Sequence, residues 1–462
     1  MEPTTLSEIE DPWVRVRHVF LPSTPIREEA RLVGRSEQVE RVRRELRSPG
    51  RSVFIFGERG VGKTSLAQTV AFTEDDTDND PAIVSCYQAD FSQLITRVVR
   101  HLMALPYYQS TLKKKVLELK LGGAVGHILH RVETQPTEMV RVEPIYAVEL
   151  LKSVAPANKT AVVVVDEMDQ ASSQLRRDLA HFVKQTGDED CPIKFIFTGI
   201  ANDVDELLEA HQSASRSVAT VRLERLLLGD LVRILDSGFG VVDLGVADLL
   251  KRRIALMSDG FAYFTHLLGL KLAERALDAE VTEVNEGLMD GAIEDAVADI
   301  EVQLKRPYEL AVRKYHDRYE TLLWALADHW QLERSSKEIW RSYLGVCQKR
   351  FSQQGLVFRA PDETKDEPSE EALDESQEDL DDDGLEPRDG LMVLTKQQFR
   401  QAVHRLKQTA YGEILESPQR GWYRFRFSMM RGYCRLMAAR HGISVGLKYL
   451  DTHNNLVDLE RL

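Results

Sequence analysis

The nonapeptide GERGVGKTS, at 57–65, has the residue types and spacing of a phosphate-binding loop. It follows the apolar run RSVFIF and leads into KTSLAQTVAF, so it joins a predicted strand to a predicted helix. Glycines expose backbone N–H groups, and the start of the helix adds a partial positive charge, which suits nucleotide phosphates. We expect Lys63 to contact the β- and γ-phosphates of ATP and Thr64 to give a hydroxyl to Mg²⁺. The predicted nucleotide contacts here are Gly57, Gly60, Val61, Gly62, Lys63, Thr64 and Ser65.

A pair of carboxylates follows the run AVVVV in the segment 161–169. The aliphatic residues predict a buried strand, and Asp166 and Glu167 lie at its carboxyl end, where open α/β sheets bind their ligands. We expect Asp166 to hold Mg²⁺ and Glu167 to orient and deprotonate an attacking water. The alternative is a solvated acidic turn, but two adjacent carboxylates at the end of a buried strand are costly without a cation.

Three isolated polar residues extend this site with weaker signals. Asn202, in FTGIAND, follows another predicted strand, and Thr198 is the second choice for a contact with the γ-phosphate or the water. An asparagine at a strand end is also an ordinary helix cap. Arg216 precedes the last predicted strand, and an arginine suits the charge on a transferring phosphoryl group. Position alone favours a surface arginine there.

Hydrophobic periodicity divides the chain into three predicted domains. Short Val/Ile/Phe runs alternate with helical patterns from about 50 to 225, which predicts an α/β fold with a five-stranded parallel sheet for a first domain at 1–225. Residues at about 106–142 break this alternation as an insertion with its own helix or hairpin. Residues 226–305 show only amphipathic helices, which predicts a helical lid. Residues 306–462 contain helices, then the acidic segment, then another helix followed by a short hairpin, which is the order of a winged helix.

One segment accounts for nearly all of the negative charge. Residues 361–389 contain 15 Asp and Glu against two basic residues, so they carry −13 of the formal net charge of −14. The remaining chain is therefore close to neutral. The segment has almost no large apolar residues, which predicts a disordered loop inside the winged-helix domain. It is either a solvated spacer or an electrostatic mimic that covers a nearby basic surface.

A basic run follows the acidic segment. Residues 396–440 contain ten Lys and Arg against Glu413 and Glu416, with aromatic residues between them. A basic face with a wing is typical of duplex DNA binding through phosphates. Winged helices also dock proteins, so a protein partner stays open.

Composition is that of an ordinary globular protein, with 43% hydrophobic and 29% charged residues. The four cysteines are far apart and form no CxxC pair, which argues against a zinc ribbon or a disulfide framework. The acidic N-terminus differs from a secretion signal, and no apolar run approaches the roughly 18 residues that cross a bilayer. These features predict a cytoplasmic protein without a membrane partner.

The order of LVGRSEQ, GERGVGKTS, VVVVDEMD, FTGIAND and SASRSVATVRL resembles AAA+ ATPases of the initiator, origin-recognition-like clade. The resemblance covers about 30–305 and implies that Val33 and Gly34 contact the adenine. It also implies that Asn202 is the first sensor and that Arg216 acts in trans in a homo-oligomer. Relatives in this clade carry a C-terminal winged helix.

The lid departs from the family pattern. Many members carry an arginine that senses the γ-phosphate, and here SDGFAYFTHLL places Phe261, Ala262 and Tyr263 in that neighbourhood. This segment is similar to the lids of signalling and defence ATPases, in which an aromatic residue or a histidine replaces the arginine. The sequence therefore leaves two functions open. One is an ATP-hydrolysing AAA+ regulator that acts on DNA, and the other is a STAND-like sensor ATPase, in bacterial signalling or anti-phage defence, that oligomerises and activates a partner effector protein.

Overall fold

The computed structural model describes residues 11–77, 80–105, 108, 124–134, 140–156, 159–189, 191–200, 216–361, 392–450 and 456–458. The chain divides into two compact units, one formed by Ser23–Leu226 and the other by Met1–Pro22 with Leu227–Leu462. The first unit contains the phosphate-loop motif and the paired carboxylates.

The described elements up to residue 226 are α1 (Pro12–Val19), α2 (Ser36–Arg47), β1 (Ser52–Gly57), α3 (Lys63–Glu74), β2 (Ala82–Ser85), α4 (Phe91–Ala104), α5 (Ala124–Thr134), α6 (Pro144–Val154), β3 (Ala161–Asp166), α7 (Ser173–Asp188), β4 (Ile193–Gly199) and β5 (Val218–Leu223). Those after it are α8 (Leu228–Val241), α9 (Asp248–Met257), α10 (Ala262–Asp278), α11 (Glu286–Asp299), α12 (Val302–Val312), α13 (His316–Ala327), β6 (Arg334–Ser335), α14 (Ser336–Gln353), α15 (Lys396–Arg405), β7 (Leu415–Glu416), β8 (Trp422–Phe425), α16 (Met430–Arg440), β9 (Lys448–Leu450) and β10 (Leu456–Asp458).

A five-stranded sheet organises the first unit. Its strand order is β2-β3-β4-β1-β5, and all neighbouring pairs are parallel. The register pairs Gly57 with Leu223 and Ser85 with Asp166, so the carboxyl ends of the strands meet at one edge. This arrangement confirms the predicted α/β fold with a five-stranded parallel sheet.

Burial on both faces explains the near-continuous apolar runs of these strands. All six residues of β3 are buried, and so is most of β4. Phe182 of α7 packs edge-on against Phe195 of β4, with ring centroids 5.1 Å apart. Phe54 of β1 and Phe197 of β4 stack at 6.2 Å. Helices therefore cover the sheet, as the parallel topology requires.

Part of the predicted insertion is a helix of the same core. Within the range 106–142, α5 buries Val125, Leu129 and Val132 beside α4 and α6. The apolar residues recur at helical spacing, so one face of α5 meets the core.

The first helix packs with the second unit, although it lies inside the predicted range 1–225. Phe20, which follows α1, is buried against α8 and α10, where a Cβ at Gly238 or Gly269 would lie 2.4 Å from its ring. These glycines leave room for the aromatic ring between the two helices. The boundaries of the three domains stay predictions.

The C-terminal part of the second unit follows the order helix, strand, helix, helix, strand, strand. Two antiparallel pairings give a three-stranded sheet with the order β6-β8-β7, and α13, α14 and α15 accompany it. Ser335 starts α14 with a capping box, in which Ser335 and Glu338 satisfy each other's backbone N–H groups. Except for Pro361, the acidic segment 361–389 lies outside the described residues. Among the described helices, none is both long and apolar enough to span a membrane.

Candidate functional site at the carboxyl edge of the sheet

The phosphate loop joins the end of β1 to the start of α3. Gly60 and Gly62 have φ values of 85° and 95°, a left-handed conformation that other residues rarely adopt. Gly57 is needed for room, because a Cβ there would lie 2.2 Å from the carbonyl oxygen of Leu223. Among the described residues, no side chain caps the start of α3. Its first N–H groups therefore suit an anion such as a phosphate.

Lys63 and Ser65 both make contacts inside the first unit. Lys63 Nζ donates to the carbonyl oxygens of Gly57 and Glu58, at 3.2 and 2.9 Å. Its ammonium group therefore lies over the loop, in a position to contact a bound phosphate. Ser65 Oγ accepts the N–H of Ile26 at 3.2 Å, which ties the segment before α2 to α3.

The predicted magnesium ligands come together across the sheet edge. Thr64 Oγ1 donates to the Asp166 carboxylate, 2.9 Å from Oδ2 and 3.2 Å from Oδ1. Asp166 is 9% exposed, and the hydroxyl of Thr198 and the N–H of Glu167 also donate to its Oδ1. A hydroxyl beside a carboxylate is the oxygen donor set that Mg²⁺ prefers, so these residues fit the ion.

Glu167 lies at the same edge and is exposed. Its φ of 60° is unusual for a residue with a side chain and turns the chain sharply after β3. Ser85 Oγ, at the end of β2, donates to Glu167 Oε2 at 2.5 Å. Ser85 was not predicted from the sequence, because only the parallel register of β2 and β3 places it beside the carboxylates.

The three residues with weaker sequence signals have different outcomes. Thr198 lies at the site, because its hydroxyl contacts Asp166. Asn202 lies outside the described residues. Arg216 is exposed two residues before β5. Its predicted action on a neighbouring subunit stays a prediction.

Two arginines brace the phosphate loop. Arg225 Nε lies 2.7 Å from Glu58 Oε2, and the Arg225 side chain is 16% exposed. Arg35 is 5% exposed and donates through Nη2 to the carbonyl oxygens of Val61, at 3.0 Å, and Glu224, at 2.6 Å. The residues that follow β5 therefore hold both halves of the loop.

The predicted adenine contacts lie just before one of these arginines. Val33 and Gly34 are half-buried, and Gly34 has a φ of 73° that favours glycine. The sequence pattern pointed to these two residues and not to Arg35, whose partners are distant in the sequence.

The lid positions with aromatic residues belong to the packed interior of the second unit. Phe261 is fully buried and packs edge-on against Phe264, with centroids 6.4 Å apart. Burial raises the pKa of Tyr263 to about 12. These side chains stabilise the helical unit by packing, which an arginine in the same place would not do.

The basic run of the second unit is divided between buried and exposed arginines. Arg431 and Arg435 are buried, and both contact Asp259, with the closest Nη–Oδ1 distances at 2.6 and 3.2 Å. Arg431 also donates to the carbonyl oxygens of residues 329–331. Burial lowers the pKa of His329 to about 4, so this imidazole is neutral and adds no charge to the cluster.

Other members of the run have acidic partners at the surface. Arg424 pairs with Glu416 and with Glu333, the latter at 2.7 Å, and Arg426 pairs with Glu413. Lys396 and Arg400 lie on α15 and are half-buried. The balance of +8 counted from the sequence therefore overstates the charge that this surface presents.

Comparison with known proteins gives one family match and several similar solved structures. Residues 31–196 match the family model described as AAA ATPase domain. A sequence search of curated proteins finds no match. Among solved structures, the Walker-type ATPase PABY2304 of Pyrococcus abyssi is 15% identical with a TM-score of 0.46, and the alignment covers 89% of this chain and 99% of that one.

Two further solved structures resemble this chain with comparable sequence identities and TM-scores. The ORC2 protein of Aeropyrum pernix is 14% identical with a TM-score of 0.43, over 92% of this chain and 98% of that one. The RuvB Holliday junction branch migration motor of Thermotoga maritima is 13% identical with a TM-score of 0.39, over 72% and 92%. With its five parallel strands and phosphate loop, the first unit has the AAA+ P-loop fold.

Proposed function

We propose that this protein binds and hydrolyses ATP with Mg²⁺ and acts as a regulator that assembles in response to ATP. The contact between Thr64 Oγ1 and the Asp166 carboxylate carries the proposal. It joins residues 102 positions apart into one oxygen donor set beside Lys63. Glu167, the next residue, adds an exposed carboxylate at the same edge.

Each residue has one task in the proposed reaction. Lys63 and the N–H groups at the start of α3 bind the β- and γ-phosphates. Thr64 and Asp166 would hold Mg²⁺, which stabilises the charge on phosphate oxygens when it is bound. Glu167 accepts a proton from the water whose oxygen forms the new bond to the γ-phosphorus, while the bond from that phosphorus to the bridging oxygen of ADP breaks.

Neighbouring subunits complete the site in this proposal. Asn202 orients the attacking water, and Arg216 enters the site of an adjacent copy to stabilise charge on the phosphoryl group. The exposure of Arg216 beside β5 supports this role, because a residue that acts in trans must reach the surface. Val33 and Gly34 contact the adenine.

The C-terminal region is proposed to bind duplex DNA as a winged helix. The order α13, β6, α14, α15, β7, β8 and the antiparallel three-stranded sheet support this assignment. In this arrangement α15 enters the major groove, and the turn between β7 and β8 is the wing. Lys396, Arg400 and Arg420 are the cations we assign to phosphate contacts, since Arg431 and Arg435 are buried.

The acidic segment is proposed to regulate this surface. It lies in sequence between α14 and α15, and its charge of −13 is opposite to that of the basic run. Removal of residues 361–389 should tighten binding to duplex DNA at moderate salt. An unchanged affinity would exclude the masking role.

One experiment tests the central proposal. ATP hydrolysis is measured for the wild type and for Glu167→Gln, with and without duplex DNA. Hydrolysis that DNA stimulates, and that the variant loses, supports a DNA-associated regulator. Absence of ATP binding in both proteins would overturn the proposal.

The second candidate function is a STAND-like sensor ATPase that activates a partner effector protein, in signalling or anti-phage defence. The aromatic residues at 261 and 263, and the burial of two arginines of the basic run, favour it. Both features weaken the case for rapid turnover and for a strongly basic DNA surface. Hydrolysis that ignores DNA would support this candidate over the first.

A further inference from the structure

We propose that Arg35 is a positioning residue that holds the phosphate loop in its binding conformation, an inference that rests on the proposed nucleotide site. Its side chain is almost fully buried and spans two carbonyl groups from distant parts of the chain. One belongs to Val61 in the loop and the other to Glu224, directly after β5.

The Val61 contact fixes the direction of an N–H group. The carbonyl of Val61 and the N–H of Gly62 belong to one planar peptide unit and point in opposite directions. A donor that holds the Val61 oxygen at 3.0 Å therefore also holds the Gly62 N–H. Gly62 is the last residue before α3, so this N–H belongs to the group that we expect to bind phosphate.

The phosphate loop needs a hydrogen bond of this kind at the peptide between Val61 and Gly62. Gly62 has a φ of 95°, and among the described residues no atom lies within 4 Å of the position that its Cβ would take. Packing does not restrain the peptide from that side. A glycine in open space has broad conformational freedom, so hydrogen bonds must select one orientation.

The two halves of the loop have separate braces that all involve residues 223–225. Leu223 packs against Gly57, and Arg225 pairs with Glu58, so both hold the first half. Arg35 connects the second half to Glu224. A planar guanidinium with several fixed donors suits this task, because it can hold two carbonyls at once.

Arg35 also connects the two ends of the expected nucleotide. Val33 and Gly34, assigned to the adenine, directly precede it in the chain, whereas its hydrogen bond reaches the phosphate loop. Contact of Val33 and Gly34 with the adenine would therefore hold Arg35 in place. Arg35 in turn orients the N–H group that we expect to bind phosphate. We infer that the LVGR segment acts on both parts of ATP through this one side chain.

The alternative is that Arg35 only fastens the start of α2 to β5. Arg41, which lies on α2, provides a control. Its Nη2 donates to the carbonyl oxygen of Thr220 in β5 at a distance of 3.0 Å. Its hydrogen bond also joins α2 to β5, but its partner lies outside the loop. Replacement of Arg41 therefore removes an exposed arginine–carbonyl hydrogen bond between α2 and β5 without the proposed effect on phosphate.

The test compares wild type, Arg35→Ala and Arg41→Ala by the ratio of their affinities for ATP and AMP. A fluorescent ATP analogue reports binding, and ATP and AMP compete with it. We expect Arg35→Ala to lower the ratio by about tenfold, the effect of removing one hydrogen bond with a charged donor. Arg41→Ala should keep the wild-type ratio.

The outcomes separate the two claims. An unchanged ratio in Arg35→Ala, or an equal loss for ATP and AMP, would overturn the positioning role. If wild type and Arg41→Ala both fail to bind ATP, the proposed function fails instead. Arg35→Lys covers the case in which the alanine variant does not fold. A lysine cannot present two fixed donors, so its ratio should also fall while its melting temperature stays near that of wild type, and an unchanged ratio would again contradict the proposal.

Discussion

Two regions of the molecule contain charged residues that the sequence marks as functional, but the fold uses them in different ways. At the carboxyl edge of the parallel sheet, Lys63 is half-buried and Glu167 is exposed, and the buried Asp166 lies beside them in contact with Thr64. In the basic run after residue 396, Arg431 and Arg435 turn inward and bind Asp259. The first set forms the proposed nucleotide site, whereas the second set is a buried ion-pair cluster inside the second unit. Charge in a sequence therefore indicates function only when the fold brings it to a surface.

Among variants that test the difference between the two regions, we expect the largest effect from replacement of Asp259, which lies in the buried cluster. Replacement by alanine leaves two buried guanidinium groups without their carboxylate, which should lower the free energy of unfolding by about 3–5 kcal/mol. Chemical denaturation measures this change. Glu333→Ala is the control, because its pair with Arg424 is exposed and should contribute at most about 1 kcal/mol. Equal effects of the two variants would mean that the buried cluster is not structural.

A smaller effect is expected from Lys396 and Arg400, the half-buried cations of α15 that we assign to phosphate contacts. Lys396→Ala and Arg400→Ala together should weaken duplex DNA binding, and the slope of log affinity against log salt should fall by about one for each phosphate that is no longer neutralised. Titrations at several salt concentrations measure both changes. Arg426→Ala is the matched control, since Arg426 is already paired with Glu413. If the control lost as much affinity as the α15 variant, the division of the basic run would be wrong.

The smallest effect is expected at Ser85. Its hydroxyl holds one oxygen of Glu167, and its removal frees the carboxylate to turn towards the nucleotide. We expect Ser85→Ala to raise the rate of ATP hydrolysis by about threefold. This corresponds to an activation free energy that is lower by less than about 1 kcal/mol. Steady-state turnover at saturating ATP measures this rate. A fall to the level of Glu167→Gln would show instead that Ser85 positions the base.

The sequence predicts the centre of the site better than its surroundings. The phosphate loop and the DE pair are local motifs, because the chemistry needs glycines, a lysine and carboxylates at fixed spacing after buried strands. The parallel sheet follows from the apolar runs. Ser85 and Arg35 escape such reasoning, since their partners are 82 and 26 residues away and only the tertiary fold joins them.

In the basic run, the sequence alone does not separate exposed cations from buried ones. Counting ten cations against two acids treats every charge as exposed. The partner of Arg431 lies 172 residues earlier, so no local pattern could reveal that this arginine is buried. A count of charges does not show which side of α16 meets a distant carboxylate.

The most direct test of the central claim is the identity of the nucleotide that the protein retains. Wild type and Glu167→Gln are incubated with ATP and Mg²⁺, separated from free nucleotide, and the bound nucleotide is identified by chromatography. We expect ADP from the wild type and ATP from the variant, because Thr64, Lys63 and Asp166 still bind ATP when the proposed base is replaced. Equal amounts of ADP from both proteins, or no bound nucleotide in either, would contradict a hydrolytic site built on Glu167.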